Sequence, residues 1–156
     1  MRSIMKKIIG ILLMSFSCIA GATNYGALVP GETNPLVTQA NIKQTICVSG
    51  WTKTIRPSAS YTNKLKAKQI KQFGLTGAMS DYEEDHLISL EIGGNPTSEK
   101  NLWPQLWVGD YNAHMKDQLE NSLKREVCTG KITLLQAQSE VSKDWIAAYN
   151  KRFHKK

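Results

Sequence analysis

The stretch whose reading decides the fold runs from Asp81 to Gln105, DYEEDHLISLEIGGNPTSEKNLWPQ. It opens with four carboxylates and a histidine between Asp81 and His86. Ile88, Leu90 and Ile92 then alternate with other residues, which predicts a strand. Gly93-Gly94-Asn95-Pro96 predicts a loop. Asn101-Leu102-Trp103-Pro104 starts a second short strand that Pro104 ends. An amphipathic helix follows from about Asp110, because Tyr111, Met115, Leu119, Leu123 and Val127 recur in steps of four. Asp110 is placed to cap it and Gly130 to end it. The order strand, loop, strand, helix sets Asp85, His86, Asn101 and the first helical turns within reach of one another.

Those residue types suit one kind of chemistry. A carboxylate is a hard oxygen ligand for Mg²⁺ or Mn²⁺. A neutral imidazole is a base near pH 7. Side by side, one holds a metal while the other activates water. Strict alternation along a strand puts Glu84 and His86 on one face and Asp85 on the other. Either the strand end is irregular or Glu84 takes the place of Asp85. On the helix, Asn112 and His114 are two residues apart, about 200° around the axis, so only one of them faces a common ligand.

Charge is unevenly spread around this stretch. Residues 33–80 contain no Asp or Glu but carry Lys43, Lys53, Arg56, Lys64, Lys66, Lys68 and Lys71. Residues 81–91 carry Asp81, Glu83, Glu84, Asp85 and Glu91 with no Lys or Arg. A basic surface beside an acidic pocket is what a metal-dependent enzyme acting on a polyanion needs. Arg56 precedes Pro57 in an expected loop, where a guanidinium can grip a phosphate in two places. Lys53 and Lys116 are further candidates for nucleic-acid contact. Trp103, Trp107 and Trp145 are expected in the core.

Elsewhere the chain reads as one domain with an export signal. Residues 1–22 have Arg2, Lys6 and Lys7, an apolar run from Ile8 to Phe16, and Ala20-Gly21-Ala22, the pattern of a cleaved secretory signal. Removing its three basic residues from the 20 leaves 17 against 13 acids and takes the net charge from +7 to +4. Cys18 leaves with it, and Cys47 and Cys128 are then an even pair in an oxidising compartment, expected to form one disulfide. Residues 23–41, rich in Gly, Pro, Asn and Thr, read as an extended arm without chemistry of its own. The domain proper is residues 42–156. Within it Thr45–Trp51 predicts a short strand, residues 61–73 a helix capped by Thr62 or Asn63, and residues 133–153 a terminal helix capped by Thr133. The stripe Leu134, Ala137, Val141, Trp145 and Ala148 packs that last helix on the core.

At this point the residues resemble a known family. DHLISLEIGG, NLWP and NAHMKD are similar to the HNH, or ββα-metal (His-Me finger), nuclease motif, over Glu84 to about Lys116. Residues 47–66, NAHMKDQLE and residues 127–145 also resemble small secreted bacterial HNH-type endonucleases. The resemblance implies an α+β fold, with a ββα-metal core and additional packing helices. It implies His86 as general base and Asp85 as first metal ligand, with Glu84 as alternative. Asn101 braces the active-site loop. His114 is the final metal ligand, with Asn112 as alternative. One divalent metal, Mg²⁺ or Mn²⁺, and phosphodiester cleavage to a 5′-phosphate and a 3′-hydroxyl are implied with them. The expected protein is a periplasmic or extracellular monomer, free of the membrane after signal cleavage, acting on nucleic acid and on DNA rather than RNA. The other readings are a binding module that keeps the fold without cutting, and a secreted effector or toxin nuclease.

Overall fold

The computed structural model describes residues 28–154, so the expected signal at residues 1–22 and the first part of the arm lie outside the described residues. The fold is α+β, an antiparallel hairpin followed by helices, with two further α-helices ahead of it among the described residues. Helix α1 spans Trp51–Ile55 and α2 Ala59–Gln72. Strands β1 (Tyr82–His86) and β2 (Leu102–Leu106) form a two-stranded sheet, and helices α3 (Ala113–Cys128) and α4 (Leu134–Phe153) follow. The register pairs Tyr82 with Leu106 and His86 with Leu102.

Several boundaries differ from the sequence reading. The first strand is the acidic run Tyr82–His86, not the apolar alternation after it. Leu90–Ile92 is a 3-10 turn instead, with Leu90 and Ile92 fully buried. Pro104 sits inside β2 opposite Glu84 rather than ending it. A strand with only one hydrogen-bonded neighbour tolerates a residue that has no N–H to give. Residues 45–50 form turns and not a strand: Cys47 N–H donates to Ile42 O, and the Thr45 hydroxyl donates to Asn41 O. Helix α2 begins earlier than expected, and Ser58 Oγ caps it by accepting from Tyr61 N–H. Asn112, not Asp110, caps α3, accepting from Met115 N–H. Thr133 caps α4 as expected, in a reciprocal pair with Gln136. Helix α4 breaks at Asp144, whose carboxylate caps the second half through Ala147 N–H.

The core lies where α3 and α4 pack on the 87–92 segment and on Trp103. Leu119, Leu123 and Val127 of α3 meet Ala137, Val141 and Trp145 of α4, all buried. Trp103 and Trp145 are core residues, whereas Trp107 is only half-buried and lies against the His114 ring. Cys47 and Cys128 are bonded, with Cα atoms 5.6 Å apart. The bond ties the turn ahead of α1 to the end of α3 across 81 positions, and such a loop is stabilised by roughly 4.5 kcal/mol in the chain-entropy picture. No helix among the described residues is long and apolar enough to cross a membrane.

The arm is more than a spacer. Thr33 bridges to Gly94, Gly31 N–H donates to Lys100 O, and Asn34 N–H donates to Gly93 O. Residues 31–34 therefore run alongside the 93–101 loop and fix it from outside. The loop also explains its glycine pair. A Cβ on Gly94 would fall 1.7 Å from Ile88 O, so no side chain fits there. Gly93 has φ of 76°, and a Cβ on it would meet Val37 Cγ1 at 2.8 Å.

Candidate active site

A cavity of about 250 Å³ opens at the end of β1, lined by Arg56, Glu83, Glu84, Asp85, His86, Ser89, Leu90, Asp117 and Glu120. Strand β1 supplies its carboxylates and histidine, α3 supplies Asp117 and Glu120, and the Arg56-Pro57 corner between α1 and α2 supplies the guanidinium. Arg56 is exposed and extended, with ψ of 129°, as the residue before a proline prefers. The strand is regular in register, and four consecutive residues, Glu83 to His86, line the cavity from both of its faces.

His86 is buried, and its Nε2 is 3.0 Å from Pro96 O. A carbonyl only accepts, so the proton sits on Nε2 and the lone pair on Nδ1. Burial holds the imidazole down at about 4, against the Pro96 carbonyl and helped by the charges of Arg56 and Lys116. His86 is thus a neutral base at physiological pH.

Asp85 is 7% exposed and its Oδ2 lies 2.7 Å from Lys116 Nζ. Lys116, 1% exposed, also donates to His86 O at 2.7 Å and to Glu120 Oε1. Glu120 Oε2 in turn accepts from Ser89 Oγ at 2.7 Å. The buried Asp85 and the half-buried Glu120 converge on one ammonium. Burial pulls Lys116 down, but Asp85 and Glu120 outweigh it and hold it above its ordinary range. Burial pushes both Asp85 and Glu120 up against the pull of Lys116. Glu83 reaches about 8 through burial and then through Asp85, Asp117 and Glu120. Glu84 also reaches about 8 through burial, opposed by Lys66, and among the described residues neither of its oxygens has a hydrogen-bond partner.

Asn101 is fully buried and occupied on both sides of its amide. Its Oδ1 accepts from Ile88 N–H at 2.9 Å, and its Nδ2 donates to Ile88 O at 3.0 Å and Asn95 O at 2.9 Å. It ties the segment after β1 to the loop that carries Pro96.

Other residues expected at the site stand elsewhere or are already engaged. His114 is exposed on α3 and does not line the cavity, its ring 5.4 Å from that of Trp107. Asn112 does not line it either, since capping α3 and donating to Gly109 O uses its amide. Lys116 is unavailable to a phosphate, because it is enclosed by its ion pairs. Lys53 is exposed on α1, one helical turn before Arg56, and outside the cavity lining. The helical residues at the cavity are Asp117 and Glu120 instead. The signal for them was Lys116 itself, which falls on the stripe of Leu119, Leu123 and Val127 and calls for buried counter-charges.

Among the described residues no three His, Cys, Asp or Glu side chains form a closed metal cage. Mg²⁺ seldom uses one, taking one or two carboxylates and leaving the remaining positions to water and phosphate. Asp85 and Glu120, already converging on one positive charge, fit that arrangement, with Glu83 and Asp117 beside them. Comparison of the chain with protein-family models, curated proteins and solved structures finds no match.

The raised carboxylates make stability depend on pH. Glu83 and Glu84 hold protons in the folded protein up to about 8, while unfolded glutamates lose them near 4.5. Their contribution is whole below about pH 4.5 and is lost as pH rises through about 8. His86 acts the other way, but only between 6.5 and about 4, where the unfolded chain takes up a proton first. Between pH 6.5 and 8 the carboxylates act alone, so in EDTA the melting temperature is expected to fall across that window. Mn²⁺ should oppose the fall by taking the place of the protons. A melting temperature that rises across the window in EDTA would contradict the buried-carboxylate picture.

Proposed function

We propose that this protein is an exported, metal-dependent endonuclease of the HNH (ββα-metal) type that hydrolyses phosphodiester bonds in nucleic acid, DNA in preference to RNA. The observation that carries the reading is His86 held as the Nε2–H tautomer in a cavity lined by the carboxylates of Glu83, Glu84, Asp85, Asp117 and Glu120. In this reading His86 Nδ1 takes the proton from the attacking water. Asp85 and Glu120 hold the cation, in place of the Asp85–His114 pair that the family resemblance implies. A divalent cation there supplies charge neutralisation at the scissile phosphate and the leaving 3′ oxygen. Arg56 at the rim grips a neighbouring phosphate, and Asn101 keeps the loop in register. The disulfide suits a periplasmic or extracellular setting.

Lys116 favours a second reading, because its ammonium already satisfies Asp85 and Glu120. In that reading the domain binds nucleic acid without cutting it. The two separate in one assay. Purified oxidised protein is expected to nick supercoiled plasmid with Mg²⁺ or Mn²⁺ and to stop in EDTA. Retention of DNA without cutting under any divalent cation would support the binding module.

A further inference from the structure

Pro96 O fixes the tautomer of His86, and the fold holds Pro96 from both sides. Asn101 Nδ2 grips Asn95 O at 2.9 Å from within. From without, Glu32 of the arm grips the same turn. Glu32 Oε1 accepts from Asn95 Nδ2 at 2.9 Å and Oε2 accepts from Ser98 Oγ at 3.0 Å. Its backbone joins in, with Asn95 N–H donating to Glu32 O at 2.7 Å and Glu32 N–H donating to Asn101 Oδ1 at 3.3 Å. The carboxylate also settles which way the Asn95 amide points. Because Nδ2 must face Glu32, Oδ1 faces inward and accepts from Thr97 N–H and Ser98 N–H, both at 3.1 Å. The Pro96 carbonyl therefore sits in a turn whose two flanking side chains, Asn95 and Ser98, end on one carboxylate 63 and 66 positions earlier in the chain.

We infer that Glu32 is a positioning residue for His86: by clamping Asn95 and Ser98 it keeps Pro96 O on Nε2 and so leaves the Nδ1 lone pair facing the cavity. The inference rests on His86 being the base of the proposed site. It gives the arm, which in sequence has no chemistry of its own, a part in the reaction. Glu32 itself is not among the residues that line the cavity, and its carboxylate ends on Asn95 and Ser98. A carboxylate is suited to the task because both oxygens only accept and together they hold two donors in a fixed geometry. Partners one step removed from a reactive group typically matter by about 10–100-fold when lost.

The test reads the tautomer directly, by long-range proton–nitrogen correlation on nitrogen-15-labelled oxidised protein in EDTA, beside plasmid cleavage in Mn²⁺. In the parent, His86 is expected wholly as the Nε2–H form. Glu32→Ala should show a second population with the proton on Nδ1 and should cut about 10–100-fold more slowly. Glu32→Gln should restore most of both, since its amide accepts from Asn95 and donates to Ser98 Oγ. A role confined to stability would lower the melting temperature without moving the tautomer. If Glu32→Ala does not fold, Ser98→Ala decides, because it removes one of the two bonds and should give the same shift in smaller measure. A folded Glu32→Ala (or Ser98→Ala in its place) with His86 entirely as Nε2–H overturns the inference. Tautomers that move as expected in a protein that never cuts support the clamp and overturn the nuclease reading instead.

Discussion

His86→Ala is expected to slow plasmid cleavage by about 10²–10⁴-fold, the range a positioned general base contributes. Among the described residues its ring is the only imidazole lining the cavity, and its Nε2 makes the tautomer-setting bond to Pro96 O. The backbone carbonyl that Lys116 uses is unchanged by the substitution, so the ion cluster survives. DNA retention should change little, because no phosphate contact is removed. The melting temperature should drop only by what a small buried void costs. A variant that loses activity together with its fold would show nothing about the base. Circular dichroism and the intact Cys47–Cys128 bond are therefore read alongside the rate.

Lys116→Ala should be the most destabilising change at the site. It strips the ammonium from Asp85 Oδ2, Glu120 Oε1 and His86 O together. Removing one partner from a buried ion cluster costs about 3–5 kcal/mol, because the remaining charges stay enclosed and unpaired. Lys116→Met keeps the stem and its packing and should lose nearly as much, which separates the charge from the volume. Combining Lys116→Met with Asp85→Asn and Glu120→Gln should recover a large part of the loss. If Asp85 and Glu120 also bind a cation, saturating Mn²⁺ should stabilise Lys116→Met more than the parent, since the ion supplies the missing charge. Urea unfolding in EDTA and in Mn²⁺ measures both effects. A Lys116→Ala protein as stable as the parent would mean that the ammonium does not hold Asp85 and Glu120 together.

The sequence made the frame legible and misplaced some of its parts for physical reasons. The steps of four in α3, the Thr133 cap and the stripe on α4 are properties of single helices, which sequence encodes locally. The strand was misplaced because period-two apolar residues also arise in a tight turn enclosed on all sides, as Leu90 and Ile92 are. The acidic run Tyr82–His86 looks too polar for a strand, yet the cavity and α3 give its carboxylates somewhere to go. The family resemblance suggested His114 by its position in the motif, but α3 starts at Ala113 and is rotated so that Lys116 and Glu120, not His114, turn toward β1. Glu32 was out of reach of any local pattern, since its meaning depends on contacts with residues 95–101, more than 60 positions away.

Whether the cavity at the end of β1 cuts phosphodiester bonds with His86 as the base is decided most directly by single-turnover cleavage. One end-labelled DNA duplex is cut by oxidised parent and by His86→Ala in saturating Mn²⁺. The parent is expected to leave products with 5′-phosphate and 3′-hydroxyl ends, and the folded His86→Ala protein to cut at least about a hundredfold more slowly. Equal rates for the two folded proteins would contradict His86 as the base.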